Sequence, residues 1–190
     1  MDTDIKTESA DKRLNDLVAV TVVILSVFMA VSNIKDNNIG QAMQKAKADA
    51  VDAWAEYQAS RLKLHVDENG LGQLRLLETA GNFDKALAAK QAAEFEADIK
   101  KYEVRSRETR AKAEGYEKEY DRLNFRDDQF DMSEAFLSIA IALSAVAALV
   151  DSFRLLYIAW ASGGMGLFFG FAGFAGLNFR PEWLAQFLGT

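Results

Sequence analysis

The chain has 190 residues, a formal net charge of -6 and no cysteine. The acidic balance argues against a nucleic-acid partner, because phosphate binding needs a basic surface. The lack of cysteine excludes a disulfide framework, a thiol nucleophile and a cysteine metal site. A charged fraction of 26% would suit a soluble domain, but this average conceals two segregated populations. There are three long apolar runs, and between the first two lies a segment of charged heptads.

Residues 1–13 form an N-terminal tail that carries both signs of charge, including Asp2, Asp4, Glu8 and Asp11. The first apolar run covers 14–34 and has no charge after Asp16. At 1.5 Å per residue, roughly 18 to 20 residues cover most of a ~30 Å hydrocarbon core. Ala30 and Ser32 mimic a signal-peptidase site, but the acidic character of the tail favours an uncleaved anchor. Transmembrane helix 1 is therefore expected over 14–34.

Residues 35–131 read as an extramembrane helical hairpin. On the return arm Phe95, Ile99, Tyr102, Ser106, Thr109, Ala113, Tyr116, Tyr120 and Leu123 follow one another in steps of three and four. That is a coiled-coil seam sustained for about four heptads, and it calls for a partner helix. The first arm has the same period through Met43, Ala46, Ala50, Ala53, Tyr57, Ser60, Leu64, Leu71 and Leu74, with Asp67 the one misfit. Its alanines admit a close partner. Gly81-Asn82 is the strongest turn signal between the arms, and it leaves them nearly equal in length. Gly70 and Gly72 weaken the first arm and could mark a break or a second turn.

The second and third runs place transmembrane helices at 132–152 and 155–178. Asp151-Ser152-Phe153-Arg154 lies between them. One uninterrupted helix over both would be too long for a bilayer, so the chain must turn here. Tyr157 and Trp160 sit just inside the turn, like an aromatic belt. The end of the chain, 179–190, reads as an interfacial segment opened by Pro181 and anchored by Trp183, Leu184, Phe187 and Leu188. Arg154, the basic residue of the short turn, favours a cytoplasmic turn and a periplasmic hairpin in a bacterial inner membrane. Within the third run Gly163, Gly166, Gly170, Gly173 and Gly176 recur every three or four residues. Such a smooth face lets transmembrane helices approach closely, either within one chain or between subunits.

The stretch Asp52-Ala-Trp-Ala-Glu-Tyr-Gln-Ala-Ser-Arg-Leu-Lys-Leu-His65 resembles the W-x-x-Y-Q-A-K-x-x-K-x-H segment of a bacterial membrane family of unknown function. The stretch from Arg126 to Ala145 is similar to that family's entry into its second span, and the likeness extends over nearly the whole chain. The resemblance implies a three-span membrane protein and carries no reaction, substrate or cofactor. The family's short loop between the last two spans is typically basic, whereas here it is Asp151 to Arg154.

No residue pattern for catalysis emerges. His65 is the one histidine. It lies near Asp67 and Glu68, but these positions do not share one helix face, so a surface role outweighs a metal site. No serine is placed beside it as a nucleophile, and no glycine loop precedes a basic residue as a phosphate cradle requires. Asp151 and Arg154 read as a surface turn rather than an intramembrane ion pair. The expected fold is all-α, with three transmembrane helices and a long antiparallel coiled-coil hairpin between the first and second. The expected role is a non-enzymatic membrane scaffold or interaction protein without cofactor or metal. It would associate with the lipid bilayer and with copies of itself, and its hairpin would be open to a protein partner. The rival reading is an oligomeric channel or transport component, with Thr21, Ser26, Ser138, Ser144 and Ser162 as the pore stripe.

Overall fold

In a computed structural model of the chain, residues 2–81, 84–177, 179 and 181 are described, with side chains from Lys12 onward. The regular elements among them are three helices: α1 spans Asp2–Thr79, α2 Lys85–Leu149 and α3 Phe153–Ala175. Long helices are possible because the single proline, Pro181, lies outside all three and no ring interrupts a backbone ladder. Each helix contains a stretch long and apolar enough to cross a membrane. The expected N-terminal tail is helical from Asp2. Trp183, Leu184, Phe187 and Leu188 lie outside the described residues. The chain divides into two compact units, Met1–Met43 with Arg122–Thr190, and Gln44–Asp121.

In the unit Gln44–Asp121 the two helices run antiparallel. The Trp54 indole N–H donates to Glu117 at 2.8 Å, and further along the pair Arg75 donates to Glu96 at 3.2 Å. Ala46, Ala50, Ala53, Ser60, Leu64, Leu71 and Leu74 of α1 are buried, as are Ala88, Ser106, Thr109 and Ala113 of α2. Steps of three and four put such residues on one helix face. The two buried hydroxyls are satisfied locally: Ser106 donates to the Glu103 carbonyl and Thr109 to that of Arg105, both at 2.9 Å. Neither Gly70 nor Gly72 breaks α1, which continues to Thr79. A Cβ at Gly70 would lie 2.7 Å from Phe95 Cζ. The glycine is thus the seat of that ring, and tertiary packing offsets its helix penalty of about 1 kcal/mol. At the tip, Gly81 has φ +90°. Asp84 then caps α2, accepting from the amides of Ala86 at 2.9 Å and Leu87 at 3.3 Å.

In the other unit all three helices pack together. Leu14 and Val18 of α1 cluster with Ala147 of α2 and Leu156 of α3. Leu25 meets Leu137 and Ala140, and Met132 meets Phe169. The turn between α2 and α3 is tight. Ser152 N–H donates to the Ala147 carbonyl at 3.0 Å, and Asp151 takes a left-handed conformation at φ 48°. This is a helix-ending motif in which aspartate is one of the few tolerated non-glycine residues.

Candidate functional site

The glycine face of α3 is occupied by the chain's own helices. A Cβ at Gly163 would meet Leu25 at 3.0 Å, and one at Gly166 would meet Leu137 Cγ at 2.7 Å and its backbone nitrogen at 3.0 Å. At Gly170 it would meet the Phe28 ring and Ser133, and at Gly173 the Phe130 ring. Hydrogen bonds reinforce this approach. Ser133 donates to the Gly166 carbonyl at 2.7 Å and Ser162 to the Phe136 carbonyl at 2.8 Å. Trp160 of α3 donates to Thr21 of α1 at 2.9 Å. Gly176 stands apart from the other four. It is exposed, takes φ +64° and closes α3 with its N–H on the Ala172 carbonyl.

Beyond that cap, side chains of α2 receive the end of α3. Arg126 donates twice to the Gly173 carbonyl, at 3.2 and 3.0 Å. Gln129 donates to the carbonyls of Leu177 at 2.6 Å and Phe179 at 2.8 Å. A cation at a helix C-terminus also favours the helix dipole.

Along the return-arm stripe, Thr109 and Leu123 are buried, while Phe95, Ile99, Tyr102 and Tyr120 are half-buried. Tyr116, at 37% exposure, lies at the rim. Of the small residues between these large ones, Ser106 is buried and Ala113 is fully enclosed. His65 is exposed and hydrogen-bonded to Arg61 at 3.3 Å and Glu68 at 3.0 Å. Asp151 and Arg154 are both exposed. Among the described residues no group of three or more His, Cys, Asp or Glu side chains is arranged to hold a metal ion.

The densest concentration of perturbed chemistry lies just past the first apolar run and just before the second. Asp36 of α1 faces Asp127 and Asp131 of α2, which are one helical turn apart. Burial is the first cause of the perturbation and neighbouring negative charge the second. Burial and the charges of Asp127 and Asp131 push the Asp36 carboxyl up to about 7. Burial raises Asp127 as well, and the charge of Asp128 adds to that, while its hydrogen bond with Asp36 opposes both. Asp131 is raised to about 6 by burial, then by Asp127, Asp128 and Glu134. Asp36 and Asp127 share a hydrogen bond, which two carboxyls can form only when the pair holds a proton. Sequence reasoning missed this cluster. The available signal was the spacing of Asp127 and Asp131 on one helix face, together with Asp36 as the first acid after the first run.

The chain belongs to a family of unknown function: the profile of that family, described as Domain of unknown function (DUF4337), matches residues 14–176. No curated protein and no solved structure matches the chain.

Proposed function

We propose that the protein is a multi-pass membrane scaffold that associates with copies of itself, presents its hairpin as an antiparallel coiled coil, and performs no catalysis. The observation that carries the membrane part is the division of polar and apolar groups in the unit built from all three helices. Thr21, Ser138, Ser144 and Ser162 engage hydrogen-bond partners inside the chain. The outward faces carry Val20, Val23, Ile24 and Val27 of α1 and Tyr157, Ile158, Phe168 and Phe171 of α3. Polar side chains satisfied inside the chain beneath an apolar exterior are what a bilayer requires, with the buried Ser32 hydroxyl, which has no partner, as the exception in the first run. The same bonds weigh against the channel reading, because four of the five residues that would line a pore stripe already have partners.

The scaffold part rests on the hairpin. Its interior joins the two arms, which leaves long outer faces available to other molecules. Two measurements test the proposal. The protein should stay with membranes through alkaline carbonate extraction. In mild detergent its native mass should be a multiple of the 21.1 kDa chain greater than one. Release by carbonate overturns the membrane reading, and a monomer at every concentration overturns self-association.

A further inference from the structure

The outer face of the first hairpin arm is unlike the outer face of the second. From Gln44, alternating steps of four and three residues lead to Leu76, and every position on that path is exposed. None is Asp, Glu, Lys or Arg. The path includes Val51, Ala55, Leu62 and Leu76, with Leu62 67% exposed. Gln58, Asn69, Gly72 and His65 also lie on it, His65 being hydrogen-bonded to Arg61 and Glu68 of the same helix. The corresponding outer path on α2 carries Lys101, Glu108 and Lys118 among its exposed residues. A water-facing helix has no reason to exclude charge from one heptad stripe for more than four heptads, above the roughly three to four at which such a pattern signals pairing. The buried seam of this arm lies on its opposite side, so the stripe is a second, unpartnered seam.

We infer that this stripe is the contact between two copies of the chain, paired through their first arms as a parallel, in-register coiled coil. The inference rests on the self-association reading above and names its surface. Charge complementarity points to a second copy of the same arm as the occupant. With Leu62 and Val51 as the two core positions of the heptad, Lys47 and Asp52 fall at the flanking positions that meet across a parallel pair. The contact forms twice by symmetry. Anchoring sets the direction, because the first apolar run of each copy ends about ten residues before Gln44 on the same helix. Their first-arm origins are thereby held at one height. Gln58 and Asn69 at core positions favour one register over its neighbours, at a cost in stability.

The natural chain has no cysteine, so single cysteines report one contact each. Full-length Val51→Cys, Leu62→Cys and Leu76→Cys, mildly oxidised in membranes, should each convert from monomer to disulfide-linked dimer. Paired core positions of a parallel coil come within the roughly 4.4–6.8 Å Cα separation that a disulfide needs. Val104→Cys, on the outer face of α2, should remain monomeric. A crosslink at one α1 position alone would signal an antiparallel crossing and overturn the inference. Equal crosslinking at Val104 and Leu62 would signal random collision and overturn it too. Leu62→Glu sets two like charges face to face and should halve the native mass or reduce it further. An oligomer by native mass without crosslinks at the three α1 positions removes this surface and leaves self-association standing. A monomeric parent chain removes both.

Discussion

Gly166→Ala tests the packing of α3 more sharply than any change to a large side chain. The added methyl would lie 2.7 and 2.9 Å from the Leu137 side chain and 3.0 Å from its backbone nitrogen. Leu137 is fully buried and a main-chain atom cannot rotate away, so α3 must retreat from α2. Overpacking of this kind costs about 1–3 kcal/mol. The retreat also stretches the Ser133 bond to the Gly166 carbonyl, worth about 1 kcal/mol. A total of about 3 kcal/mol in a chain of this size corresponds to a melting shift of roughly 6–12 °C. Gly164→Ala is the matched control, since nothing lies within 4 Å of its added methyl. Alanine is the better helix former by up to about 1 kcal/mol, so this variant should melt at the parent temperature or above it. Gly170→Ala should also melt below the parent, because the atoms nearest its added methyl belong to the Phe28 ring and to the buried Ser133 hydroxyl that donates to the Gly166 carbonyl. Thermal denaturation in mild detergent, followed through Trp160 at its contact with Thr21, measures all three. Equal shifts for Gly166→Ala and Gly164→Ala would refute the intrachain role of the glycine face.

Three further outcomes can be measured. In the hairpin, Ala113 has no exposed surface, so Ala113→Asp buries an unpaired charge and should cost about 3–5 kcal/mol. The exposed Ala111→Asp should stay within about 0.5 kcal/mol, and similar denaturation curves for the two would count against the seam. For the carboxylate cluster, the folded pKa of Asp36 is raised from 3.8 to about 7 and that of Asp131 to about 6. The folded state therefore holds protons that the unfolded chain releases above about pH 4. Stability should then fall as pH rises from about 4 to about 7. Asp36→Asn should flatten that slope and melt higher than the parent at pH 8, and an unaltered slope would remove Asp36 as its source. For topology, cysteines replacing Leu87 and Arg154 should react with an impermeant reagent from opposite sides of the membrane. Labelling of both from one side would refute a three-span arrangement.

The helices were legible because each depends on near neighbours in sequence. Runs such as 14–34 announce themselves by composition, and the spacing from Ala46 to Leu74 picks out residues that are buried in the structure. The local rule misjudged Gly70, which it marks as a helix breaker. The Phe95 ring that rests on it comes from another helix, and no window around residue 70 contains that fact. The carboxylate cluster was hidden for the same reason, since Asp36 and Asp127 are 91 residues apart. It was nonetheless recoverable from a feature already in hand. In an antiparallel pair, residues equally distant from the turn stand opposite one another. Asp36 lies 46 residues before Asn82 and Asp128 lies 46 after it. The turn at Gly81-Asn82 thus directs Asp36 toward the acid-rich run from Asp127 to Asp131, and like charges there can coexist only if one keeps its proton.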